Sequence, residues 1–94
     1  MVLDEEDYRL AKFCDALSNG IRLKLVLLLR NDPNYVSALA DELQKDRTTI
    51  SRHLSILGDH DLVQSQVEGR RNIYSLKRPD LIEQFLELRP LLRR

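Results

Sequence analysis

The chain has 94 residues, 43% hydrophobic and 32% charged, with 15 basic side chains balanced by 15 acidic ones. That length makes one small domain with a modest core, and zero formal net charge argues against a generic polyanion coat. No apolar run reaches the length of a membrane span, and the start "MVLDEEDY" has the wrong charge for a signal peptide, so a membrane-free cytoplasmic protein is expected.

Asp4 caps a first helix whose early Glu5, Glu6 and Asp7 suit the positive end of the helix dipole. It runs to about Leu17, with Leu10, Cys14 and Leu17 on one face and Phe13 beside them. A second helix starts at "SNGIR", capped by Ser18 or Asn19. Its "LKLVLLLR" is apolar around most of its girth, as for a central, buried helix. Pro33 ends it.

Tyr35 and Val36 form a very short strand, and Ser37 caps a third helix, "ALADEL", with Leu39, Ala40 and Leu43 facing inward. "QKD" only reverses the chain, and Asp46 caps the fourth helix, "RTTISRHLSIL". There Ile50, Leu54 and Leu57 fall at i, i+4 and i+7, the core stripe. Arg47, Thr48, Ser51, Arg52 and Ser55 therefore point away from the core together.

Two β-rich runs, "LVQSQV" and "NIYSL", flank "EGRR". Gly69 supplies a positive φ, which predicts a hairpin with Arg70 and Arg71 at its tip. Pro79 opens a last helix over residues 79–94, where Leu81, Phe85, Leu88 and Leu92 form one stripe and Ile82 and Leu86 an adjoining one. That is more apolar surface than a terminal helix needs for a single contact. The fold class is therefore mostly α with a small β-hairpin: a winged helix-turn-helix of four helices, a hairpin wing and a fifth helix.

In such an arrangement the second helix of the pair enters the DNA major groove with its N-terminal residues at the base edges. Arg47 and Arg52 have the donor forks to bond guanine or clamp phosphate. Thr48, Thr49, Ser51 and Ser55 carry hydroxyls that serve several base edges or phosphates, and Arg70 and Arg71 reach the backbone or an adjacent minor groove. No acid interrupts Arg47 to Gly58, which an ordinary solvated face would mix in. The charge is also unevenly spread. Residues 1–44 hold five Lys/Arg against eight Asp/Glu, and residues 45–94 hold ten against seven.

From "ALSNGIRLKLVLLL" through "VSALADEL", "DRTTISRHLSIL" and "DLVQSQVEGRRNIYSL", the chain resembles the ArsR-type winged-helix repressors, over roughly residues 14–76. Related archaeal winged-helix regulators share much of this pattern. The resemblance implies a sequence-specific DNA-binding repressor, a homodimer on a palindromic operator. Its first and last helices, residues 1–17 and 79–94, would make the interface, which assigns Leu10, Phe13, Leu81, Phe85, Leu88 and Leu92 to it. Lys45 departs from the family, standing where an apolar residue commonly precedes the cap. Asp61 departs too, at a turn position usually held by glycine; its left-handed conformation costs on the order of 1 kcal/mol.

Many family members sense metals through a cysteine pair on the third helix or an Asp/His/His/Glu set on the last. Here the third helix has no Cys or His, and the last offers only Asp80, Glu83 and Glu87, a poor set for zinc. No metal or cofactor is expected. The single cysteine, Cys14, implies a reducing compartment and reads as a small buried hydrophobe; its rival reading is a thiol sensor pairing with its dimer mate. His53, beside the core stripe, reads as a packed residue bonding backbone or phosphate, and His60 as a solvated turn residue. No nucleophile–base spacing, phosphate-cradling glycine loop or paired carboxylates mark an enzyme. Two rival readings remain: a winged-helix module for protein–protein contact, and a sequence-neutral architectural DNA binder.

Overall fold

Asp4 accepts the backbone N–H of Asp7 at 2.8 Å and starts α1, Glu5–Leu17, in the computed structural model, which describes residues 1–93. Asn19 starts α2, Gly20–Asn31, by accepting from the N–H groups of Ile21 and Arg22 at 2.9 and 3.2 Å. Both caps satisfy donors that have no partner inside the helix. α2 buries Leu25, Val26 and Leu29 and stops before Pro33.

The next segment departs from expectation by one residue. The strand β1 is Asn34–Tyr35, and α3, Val36–Leu43, already includes Val36; Ser37 lies inside its first turn and caps nothing. The cause is tertiary. Asn34 and Tyr35 pair with Tyr74 and Ile73, where the ladder ends, and Val36 turns in to pack on the core.

α4, Arg47–Asp59, is bracketed by two turns of the same construction. Before it, Gln44 takes a left-handed φ of 54°, with Lys45 N–H donating to the Ala40 carbonyl at 3.0 Å and Gln44 N–H to that of Asp41 at 3.2 Å. After it, Asp61 takes φ 59°, with Leu62 N–H donating to the Leu57 carbonyl and Asp61 N–H to that of Gly58, both at 3.0 Å. These are Schellman turns built without glycine, and each left-handed residue costs about 1 kcal/mol. An apolar residue usually follows the left-handed one and packs back on its helix. Leu62 does so and is almost wholly buried, whereas Lys45 leaves that position to an exposed cation.

The strands β2, Val63–Glu68, and β3, Arg71–Leu76, form an antiparallel hairpin, and β1 adds on the far side of β3. Gly69, at φ 65°, holds the first central position of the two-residue turn. Arg70 is the other turn residue, while Arg71 is the first residue of β3 and pairs with Glu68, so only Arg70 occupies the tip.

Pro79 begins α5, Pro79–Leu86, but the helix does not run through residues 79–94 as expected. Pro90 has no N–H to give the Leu86 carbonyl and its ring would clash there. The Arg89 side chain donates to that carbonyl at 3.1 Å instead, and a 3-10 turn, Arg89–Leu92, follows. Leu88 and Leu92 therefore leave the helical stripe, and Arg94, the end of the expected helix, lies outside the described residues.

One apolar cluster joins all five helices and the base of the hairpin, with Leu25, Leu39, Ile50, Leu54, Leu57 and Ile82 at 0% exposure. α1 meets it through Ala16, Leu17 and the half-buried Phe13 only. Leu10 is 62% exposed and Cys14 is exposed, so Cys14 is not the buried hydrophobe that the helical pattern predicts. Among the described residues, no helix is long and apolar enough to cross a membrane.

Leu54 carries the centre of the α4 contact. Leu54→Ala is expected to lower unfolding stability by about 2–5 kcal/mol, measured by denaturant titration. A loss well under 1 kcal/mol would show that α4 is held by something else.

Candidate nucleic-acid interface

Asp46 accepts the Thr49 N–H at 2.7 Å and fixes the first turn of α4. That bond, with help from the Arg52 charge, holds the Asp46 carboxyl below the usual carboxylate range. Because Ile50, Leu54 and Leu57 are fully buried, the helical screw turns Arg47, Thr48, Ser51, Arg52 and Ser55 outward, and all five are exposed. Thr49 is half-buried at the edge of this face.

Some of the cations outside α4 and the hairpin are held by carboxylates. Four ion pairs occur among the described residues: Arg9–Glu5, Arg30–Glu83, Lys77–Asp61 and Arg78–Asp80. Arg47, Arg52, Arg70 and Arg71 take part in none of them. A cleft of about 920 Å³ between α1, the end of α4 and the start of α5 shows the contrast. Its Arg9, Lys77 and Arg78 are ion-paired, and Lys12 lies over the Tyr8 ring at 5.4 Å.

The hairpin is tied to the helices through Tyr35. Its hydroxyl donates to Glu68 Oε1 at 2.6 Å, and the Arg71 guanidinium lies over its ring at 3.7 Å. The Glu68 bond raises the Tyr35 pKa above its ordinary value. A second cavity, about 180 Å³, is lined by Tyr35, Val36, Ser37, Arg47, Arg71 and Asn72, so the start of α4 and the wing face one space.

Both histidines depart in part from their sequence readings. His53 is half-buried, as its place beside the core stripe predicts, but its partner is a side chain rather than backbone: its Nδ1 lies 3.3 Å from Arg22 Nη1. A guanidinium only donates, so Nδ1 must accept and the ring is neutral with its proton on Nε2. Burial, then the Arg22 and Arg52 charges, pushes the His53 pKa down. Arg22 also donates to the Ala16 carbonyl at 2.7 Å and to that of Asp15 at 3.3 Å, joining the end of α1 to α4. His60 is half-buried at the end of α4, its Nδ1 2.8 Å from the Ile56 carbonyl. Sequence reasoning missed Arg22 and Tyr35, whose partners lie 31 and 33 residues away. Among the described residues, no three His, Cys, Asp or Glu side chains gather as a metal site.

The family model for bacterial regulatory proteins of the arsR family matches residues 19–65, from the cap of α2 into β2. An uncharacterised HTH-type transcriptional regulator of Methanocaldococcus jannaschii is 41% identical over 70 residues, covering 70% of this chain and 74% of its own. A second from that organism is 32% identical over 85 residues, covering 89% and 94%. Among solved structures, a homodimeric winged helix-turn-helix DNA-binding domain from Mycobacterium bovis, a possible ArsR-family transcriptional regulator, superposes with a TM-score of 0.81. It is 30% identical, and the match covers 88% of this chain and 77% of that one. HlyU from Vibrio cholerae shares the fold at a TM-score of 0.84, 21% identity, and 96% and 98% coverage.

Asp46 supplies a pH test of the cap. Its folded-state pKa is depressed, so its contribution to stability is fully present above the unfolded carboxylate pKa, about 3.9, and is lost as pH falls through the lower folded value. The stability gap between wild type and Asp46→Asn is expected to be constant from neutrality to about pH 5 and to narrow below about pH 4, followed by circular dichroism. A gap that persists unchanged at pH 2 would exclude the ionised cap.

Proposed function

This chain belongs to the ArsR family, a DNA-binding transcriptional regulator of winged helix-turn-helix fold, and we propose that it works as a homodimeric repressor on a palindromic operator. The family and the relatives above are transcriptional regulators, not enzymes. The observation that carries the reading is the exposed guanidinium-and-hydroxyl face of α4, whose arginines have no carboxylate partner among the described residues.

In this reading α4 lies in the major groove. Arg47, Thr48, Ser51, Arg52 and Ser55 meet base edges and neighbouring phosphates, with half-buried Thr49 at the margin. Arg70 at the tip and Arg71 in β3 hold the backbone through the wing. Two copies related by a two-fold axis place their half-sites about one helical turn, roughly 10 bp, apart. Occupying a promoter this way represses by exclusion, and the working site is the cytoplasm.

The pairing surface is assigned to α1 and the C-terminal segment. Leu10, Leu88 and Leu92 are 62%, 48% and 76% exposed. Phe13 and Phe85 meet edge-to-face within the chain, ring centroids 5.6 Å apart, with half-buried Leu81 also on α5. This builds a partly apolar platform from the first and last helices. Support also comes from the Mycobacterium bovis relative, which is homodimeric.

Two measurements test the reading. Selection from random duplexes should recover an inverted repeat, and Arg52→Ala should weaken binding to it by about 1–3 kcal/mol while affecting random DNA less. Equal losses on both would make Arg52 a phosphate contact, and no loss on either would remove it from the interface. Independently, Leu10→Glu should convert the dimer to a folded monomer in sedimentation analysis. A dimer that survives that charge would move the interface elsewhere.

A further inference from the structure

We propose that Tyr35 is a positioning residue for DNA binding: it draws Glu68 away from Arg71 so that Arg71 and Arg47 together grip one backbone phosphodiester. The proposal rests on the DNA-binding reading above and adds to it a residue outside both the recognition helix and the wing.

Glu68 and Arg71 are directly opposite each other at the closed end of the hairpin. Opposite charges in that relation ordinarily attract, and a Glu–Arg pair there would cancel the wing's charge. No such ion pair forms among the described residues. The Glu68 carboxylate instead accepts the Tyr35 hydroxyl at 2.6 Å, and the Arg71 guanidinium lies over the same ring, its central carbon 3.7 Å from the centroid. One side chain thus separates the pair, occupying the acid with its hydroxyl and the base with its π face. Stacking uses the face of the guanidinium and leaves its in-plane N–H fork free for an anion. Glu68 is the only acid between Val63 and Leu76, so its diversion leaves the wing's free charge positive.

Arg71 lines the 180 Å³ cavity together with Arg47, Asn72 and the first turn of α3. No carboxylate lines it, and Arg47 has no ion-pair partner among the described residues. Two guanidiniums brought to one space without a counter-charge suit a tetrahedral anion, which for this fold is a phosphate of the duplex.

The test is the salt dependence of binding to a labelled mixed-sequence duplex, followed by fluorescence anisotropy between about 50 and 200 mM salt. Each phosphate contact contributes about 0.9 to the slope of log affinity against log salt. Tyr35→Phe keeps the ring and loses the hydroxyl, freeing Glu68 to pair with Arg71. It is expected to make the slope shallower by about one. Tyr35→Phe combined with Glu68→Gln should restore the wild-type slope, and Glu68→Gln alone should leave it unchanged. A merely structural tyrosine would lower thermal stability without this rescue. The stack has its own readout: the Arg71 guanidinium resonances should lose their ring-current shift in Tyr35→Leu and keep it in Tyr35→Phe. A wild-type slope in Tyr35→Phe, a double variant that stays shallow, or Arg71 resonances indifferent to the ring would overturn the proposal. A wild-type protein that does not bind the duplex at all would overturn the DNA-binding reading itself.

Discussion

The burial of Ile50, Leu54 and Leu57 sets the rotation of α4 about its own axis, and the rest of the molecule's chemistry follows from that angle. At about 100° per residue, sinking these three to zero exposure leaves Arg47, Thr48, Ser51, Arg52 and Ser55 nowhere to go but outward. The two Schellman turns hold the cylinder at both ends, each accepting a left-handed non-glycine residue. Side-chain hydrogen bonds on α4 and its caps are the Asp46 cap, the contact of His53 with Arg22 and that of His60 with the Ile56 carbonyl. Apolar packing orients the polar face, so a change in the core would be felt at the exposed face of α4.

Charge placement then distinguishes this surface from an ordinary solvated one. The chain is neutral overall, so no net field drives it onto DNA. Local arrangement does the work instead. Arg9, Arg30, Lys77 and Arg78 have carboxylate partners, while Arg47 and Arg52 on α4 and Arg70 and Arg71 on the hairpin have none among the described residues. A near-neutral protein with one uncompensated patch binds generic polyanions weakly, and its affinity depends on how well base-edge contacts add to a few phosphate contacts.

What the sequence makes legible is what short-range chemistry decides. Asp4, Asn19 and Asp46 cap their helices because the donors they satisfy lie two or three residues away. Gly69 turns the hairpin and Pro79 opens α5 for equally local reasons. The face of α4 is legible because a period of 3.6 needs only the residues of one helix. The misses are of two kinds. Pro90 is a local signal that competes with an unbroken apolar stripe, and the last helix ends four residues before it. The others needed partners remote in the chain. Val36 leaves the strand because β1 can pair with β3 for two residues only, Cys14 is exposed because α1 overshoots the core, and His53 answers to Arg22 on a different helix.

Arg22 bears on how a symmetric reader could keep its two recognition helices in register with a duplex. In the proposed dimer the platform is α1 with α5, so the half-site spacing depends on how rigidly α4 is fixed to α1. The two helices share the apolar cluster only at the end of α1, through Ala16, Leu17 and Phe13. Arg22 reinforces that junction, gripping the Ala16 and Asp15 carbonyls where α1 ends and reaching His53 at the middle of α4. On the other flank, Arg30 of α2 is held by both oxygens of Glu83 on α5. α2 therefore acts as the spacer between the platform and the reading head. It packs against α1, α4 and α5, and so stands between the helices of the proposed platform and α4.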